Sequence, residues 1–108
     1  MTDIIPDNWV VIKIMGPDPH YKVLAGWSGG YTQGSSWSLN SGITAVEETD
    51  KSFKFTGCSG SVYNCGKESY GLKMSNAYVW NRMKEKFGDT VEIMPEDTDW
   101  SSMDWILK

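Results

Sequence analysis

Trp9-Val10-Val11-Ile12-Lys13-Ile14-Met15, the break Gly16-Pro17-Asp18-Pro19, and the return His20-Tyr21-Lys22-Val23-Leu24-Ala25-Gly26-Trp27 decide the fold class. Both flanks are rich in β-branched and aromatic residues, which suit a pleated strand. The prolines between them fix φ and lack a backbone donor, so the chain turns there. A four-residue loop pairs Met15 with His20. It sets Ile14 opposite Tyr21, Ile12 opposite Val23 and Val10 opposite Ala25. One face of that hairpin is wholly apolar, which supports the register. The other face places Lys13 beside Lys22, a mild like-charge penalty that requires solvent.

Downstream, Gly and Ser mark residues 28–36 as a loop. Residues 37–48 read as a long third strand that Gly42 interrupts, as a bulge or a bend. Asp50-Lys51 turns the chain into Phe53 to Cys58. Val46 then faces Phe55 and Glu47 faces Lys54, an apolar pair inside and an opposite-charge pair outside. Ser59-Gly60 leads to a fifth strand over 61–66. Ser75 is a fair N-cap for an amphipathic helix at about 76–87, with Val79, Trp80, Met83 and Phe87 at spacings of three and four. Arg82, Lys84 and Lys86 suit its C-terminal dipole, and Gly88 its end. Residues 90–94 add a short strand before Pro95. Asp97 or Thr98 caps a last turn carrying Trp100, Met103 and Ile106 or Leu107. The expected fold is α+β: an antiparallel sheet of four to five strands over 9–66, packed by one main helix, with a short C-terminal strand and helical turn.

The chain has 108 residues, a common size for one domain. Such a domain buries roughly 65% of its unfolded surface, enough for a core without staples. Six tryptophans stand out, at 9, 27, 37, 80, 100 and 105. They serve either a core or an interface, because large aromatics dominate both. The net charge of −4 is uneven. Residues 1–88 carry nine Lys and Arg against eight Asp and Glu, while residues 89–108 carry six acids against Lys108. That acidic end is a solvated edge or a surface for a basic partner. No apolar run approaches the length of a membrane span, and no secretory signal is visible. Two cysteines do not make a disulfide framework, so a reduced cytoplasm is the expected compartment.

Reactive residues are sparse. His20, the lone histidine, sits at a strand end. Under the Ser59-Gly60 turn, Cys58 lies opposite Ser61 and Cys65 opposite Lys54. That separates the cysteines by roughly 13 Å at about 3.4 Å per residue, too far for a disulfide. Both are then free thiols on one face near Ile43 and Tyr63; a wider loop over 59–64 would bring them together. Asp97, Asp99 and Ser101 alternate like the start of a calcium loop, but the expected Gly and Glu are replaced by Ser102 and Lys108. No metal or cofactor is expected.

The best functional candidate is the stretch from Gly26 to Asn40. It mixes aromatic faces with small and amide side chains, which suits stacking on a sugar, base or peptide. Its glycines are not followed by the Gly-Lys-Ser/Thr of a phosphate loop. Trp27, Tyr31, Trp37 and Asn40 are the expected contact residues. The competing reading has Trp27 and Trp37 closing the sheet edge while the glycines serve turns. Nucleic acid is disfavoured by the net negative charge, although Lys51, Lys54, Lys67, Lys73, Arg82, Lys84 and Lys86 leave room for a local basic patch. The expected partner is another protein. The alternatives are a ligand-binding domain or enzyme with a pocket at the sheet edge, using Cys58, Tyr63 or His20, and a weak single-strand binder.

Two further stretches carry a resemblance. One is Tyr21 to Trp27 with Gly29-Gly30-Tyr31 and Ser36 to Ile43; the other is Ser59 to Cys65 with Tyr70-Gly71. Together with Met94-Pro95-Glu96-Asp97, they resemble small uncharacterised proteins of marine tailed phages that infect cyanobacteria. The resemblance runs along most of the chain. It implies a soluble protein made in a bacterial host cytoplasm, with an accessory interaction role. It transfers no activity and no site.

Overall fold

The computed structural model describes residues 3–16, 19–27, 36–40, 42–72 and 74–102. Strand β1 (Asn8–Ile14) lies between β2 (His20–Trp27) and β7 (Val91–Ile93), and β3 (Ser36–Leu39) pairs on the far side of β2. All neighbours are antiparallel, giving a four-stranded sheet in the order β3-β2-β1-β7. Strands β4 (Ile43–Glu48), β5 (Ser52–Gly57) and β6 (Val62–Gly66) form a second, three-stranded antiparallel sheet. Helix α1 (Met74–Phe87) follows, then a 3-10 turn at Gly88–Thr90, β7, and a second 3-10 turn at Trp100–Ser102. The α+β class, the main helix and the short C-terminal strand and turn agree with the sequence.

Successive strand residues point to opposite faces, and both faces of β1 are covered. Trp9 and Val11, with Tyr21, Val23 and Ala25 of β2, pack against Ile43, Phe55, Tyr63 and Cys65 of the second sheet and against Trp100. Val10 and Ile12, with Leu24, pack against Val79, Val91 and the partly buried Trp80 and Met83. The molecule is therefore layered as helix, four-stranded sheet, three-stranded sheet. A strand buried on two sides has no need to alternate apolar with polar residues, which explains the unbroken run Trp9–Ile12.

That double burial also explains a corrected register. The hairpin pairs Ile14 with His20, Ile12 with Lys22 and Val10 with Leu24, one residue away from the expected pairing. A one-residue slip exchanges faces, and here both faces accept apolar side chains, so periodicity does not choose between them. Charge favours the observed pairing. Lys13 sits beside Tyr21 and Lys22 beside Ile12, on opposite faces, with the Lys13 ammonium 6.0 Å from the Tyr21 ring centroid.

The expected long third strand is divided between the two sheets. The division falls at Asn40 to Gly42. Asn40 is tied to β2: its N–H donates to Val23 O (3.1 Å), and its Oδ1 accepts from Val23 N (2.8 Å). Gly42 has φ +137°, a conformation that favours glycine, and its carbonyl accepts from Cys58 N (2.8 Å). The chain thus leaves the first sheet through a glycine bend and enters the second. The β4–β5 register is the expected one, Val46 opposite Phe55 and Glu47 opposite Lys54.

In the next hairpin Thr56 pairs with Val62 and Phe53 with Cys65, again one residue from expectation. The turn closes through Gly57 N donating to Ser61 O (2.8 Å), with Gly60 at φ +95°. Cys65 is thereby turned into the core beside Phe53, while Cys58 is exposed; neither forms a disulfide, and they do not share one environment.

Helix α1 starts at Met74, so Ser75 lies in its first turn rather than at its cap. A buried amide pair fastens this end to the sheet. Asn8 Nδ2 donates to Gly71 O (3.0 Å) and Asn76 Oδ1 (2.9 Å), and Asn76 Nδ2 donates to Leu24 O (3.3 Å). At the other end Gly88 takes the left-handed conformation, φ +59°, as expected of a C′ residue. Trp9 is the hub of the other core: its Nε1 donates to Gly66 O (2.7 Å). Tyr70, Phe55 and Trp100 surround it at centroid distances of 4.6, 5.4 and 5.8 Å. Met103, Ile106 and Leu107 lie outside the described residues.

Candidate functional site: an aromatic groove between β3 and α1

Strand β3 is an edge of the four-stranded sheet. Leu39 packs into the helix-side core, and Trp37, two residues earlier, shares that face. Trp37 pairs with Gly26, which has no side chain to cover it. The indole stays 44% exposed. Across from it, α1 buries Val79 and turns Tyr78, Arg82 and Lys86 outward in a row of i, i+4 spacing. Phe87 ends the helix past the sheet; it is 47% exposed, and Tyr78 is 50% exposed.

Between Trp37 and this helix lies an open groove of about 730 Å³. Val79 and Met83 also line it, with Arg82, Glu85 and Lys86 supplying charge. Single exposed apolar residues are ordinary, but three large aromatics around one depression are not. The Lys86 ammonium lies 5.5 Å from the Phe87 ring centroid. Lys84 is turned away, donating to Val91 O (3.4 Å) and standing 3.9 Å from an Asp89 carboxylate oxygen.

Of the four expected contact residues, the three described ones stand in different surroundings. Trp37 lines the groove. Trp27 is half-buried, packs against the inter-sheet core, and donates from Nε1 to Ile5 O (2.8 Å). Asn40 is buried, and besides its bonds to Val23 its carbonyl accepts from Lys22 Nζ (3.1 Å). Its role is to hold the bend between sheets. Tyr31 lies outside the described residues. Tyr78, Arg82, Lys86 and Phe87 were not expected. Their signal was in the sequence: an aromatic and two cations spaced by four, on the helix flank next to Val79 and Met83. Attributing the cations to the helix dipole hid it.

Two other places gather polar or reactive side chains. A polar depression of about 520 Å³ beside Asp50, Lys51 and Lys67 has its main cation engaged, since Lys67 donates to Glu48 (2.6 Å). This bond, with a second from Ser101, holds the Glu48 carboxyl below its ordinary value. The other place lies around Gly42. A Cβ added there would stand 3.8 Å from Cys58 Sγ and 3.8 Å from His20 Cδ2. The structure thus brings the lone histidine and the exposed thiol to one glycine, a proximity that strand counting did not anticipate. Cys65 is different: burial pushes its thiol far above the ordinary range, which makes it inert. Tyr63 is also interior, its hydroxyl 2.8 Å from Ser38 Oγ.

Among the described residues no three His, Cys, Asp or Glu side chains are grouped to hold a metal ion. Among the described residues no helix is long and apolar enough to cross a membrane. No family model, curated protein or solved structure matches this chain.

Proposed function

We propose that this chain is a non-enzymatic module that binds another macromolecule through the groove between Trp37 and α1. This suits the accessory role implied by its resemblance to small phage proteins. The observation that carries the reading is the grouping of Trp37, Tyr78 and Phe87 with Arg82 and Lys86 on one open face. Aromatic and arginine side chains are the usual anchors of interfaces. They contribute little to stability while exposed, so their clustering is better explained by a partner. The test places a photo-crosslinking residue at position 78 and exposes the protein to a bacterial lysate. Crosslinked products should disappear when Trp37→Ala or Phe87→Ala is added, with the melting temperature unchanged. Products that persist in both variants, or variants that fail to fold, overturn the reading.

A second reading, a small enzyme using Cys58, is favoured by the approach of His20 and Cys58 to Gly42. It requires His20 to act as a base on the Cys58 thiol. His20→Ala should then slow alkylation of Cys58 without changing the melting temperature. An unchanged alkylation rate removes this reading.

A further inference from the structure

Resting on the groove as a macromolecule site, we infer that its occupant is a short acidic segment of a partner protein bearing one large aromatic or aliphatic anchor. The argument is charge complementarity over an apolar floor. Arg82 and Lys86 stand one helical turn apart at the groove, and among the described residues the ion pairs engage Lys54, Lys67 and Lys84 instead. With Glu85 also present the lining is net positive among the described residues, on a molecule whose net charge is −4. Such a local inversion of sign attracts an acidic ligand at short range and fixes its register. Between the cations and Trp37, Met83 offers a surface that adapts to different apolar side chains.

A single nucleic-acid strand fits less well. Proteins that grip phosphate backbones commonly make about 6–10 phosphate contacts, and this groove offers two cations with Glu85 between them. A peptide with a few carboxylates needs no more positive charge than is present.

The test pans a displayed library of random dodecapeptides against the whole protein, with the Arg82→Glu/Lys86→Glu double variant as counter-selection. Selected peptides should combine Asp or Glu with Trp, Phe, Leu or Ile. The synthetic peptide should lose about tenfold in affinity, ~1.4 kcal/mol, for the double variant and for Trp37→Ala, and should weaken with added salt. Both cations are exposed, so equal melting temperatures are expected and are checked first. Neutral or basic winners, or winners that bind the double variant equally well, overturn the peptide assignment. Tight, salt-sensitive binding of fluorescein-labelled oligothymidylate that needs Trp37, without acidic winners, also overturns it but leaves the groove as a macromolecule site. A Trp37-dependent dimer in sedimentation would give the groove to a second copy of this chain. Acidic winners indifferent to both Trp37→Ala and Tyr78→Ala would sink the groove itself.

Discussion

Two side chains of similar chemistry, Cys58 and Cys65, are separated by burial. Cys58 is on the exposed turn and Cys65 beneath Phe53. In the folded protein iodoacetamide should label the exposed Cys58 and leave Cys65 untouched until denaturant is added. Fragment-ion mass spectrometry of the tryptic peptide 55–67, which holds both cysteines, checks this, and early labelling of Cys65 would contradict its burial. Tyr70 behaves comparably. Burial is the main cause that raises its phenol from 10.0 to about 12, Glu96 adds to the rise, and the bond from Val11 opposes it. Its hydroxyl donates to Met94 O and accepts from Val11 N (3.3 Å). The folded state therefore prefers the neutral phenol. This contribution is complete below about pH 10 and is lost as pH rises towards about 12. Melting temperatures followed across that window should fall more steeply for wild type than for Tyr70→Phe, which has nothing to ionise there. At neutral pH the same variant should be less stable by about 1 kcal/mol through its lost hydrogen bonds.

At the scale of elements, one bend allots strands to sheets. β3 and β4 would be a single strand were it not for Asn40, tied to β2, and Gly42 at φ +137°. Gly42→Ala should cost about 1–3 kcal/mol from backbone strain alone. Its new methyl would meet Cys58 and His20 at ordinary contact distance, so clash adds little. Urea unfolding measures the cost, and a neutral substitution would mean that the bend tolerates an L residue. The elements themselves were legible. Hydrophobic period and turn chemistry located β1, β2, β5, β6 and α1 to within a few residues. Register was less so, and for a definite reason. In β1–β2 both faces are apolar, and in β5–β6 the turn Gly57–Ser61 holds one residue more than the tightest turn. Where one face was polar, as in Glu47 opposite Lys54, the pairing read from the sequence matches the structure.

For the whole molecule, the tryptophans divide the labour. Trp9 and Trp100 are 1% and 2% exposed and join the two sheets, while Trp37 stands over the groove. Trp100→Ala should cost about 3–5 kcal/mol, a large part of the roughly 5–15 kcal/mol that holds a domain together. Trp37→Ala should stay within about 0.5 kcal/mol. Denaturant titrations of the two variants make the contrast. Comparable losses would place Trp37 in the core and remove the groove from consideration.

The sequence by itself determined the class of fold, the helix and its stop at Gly88, and the scarcity of reactive side chains, because local periodicity, turn residues and composition are local quantities. Tertiary structure alone decided which strands share a sheet, which tryptophans reach solvent, and that His20 and Cys58 both come close to Gly42. Those outcomes depend on how layers stack. A run such as Trp9–Ile12 looks the same in sequence whether one face or two will be covered, and the exposure of Trp37 depends on its place on an edge strand opposite Gly26.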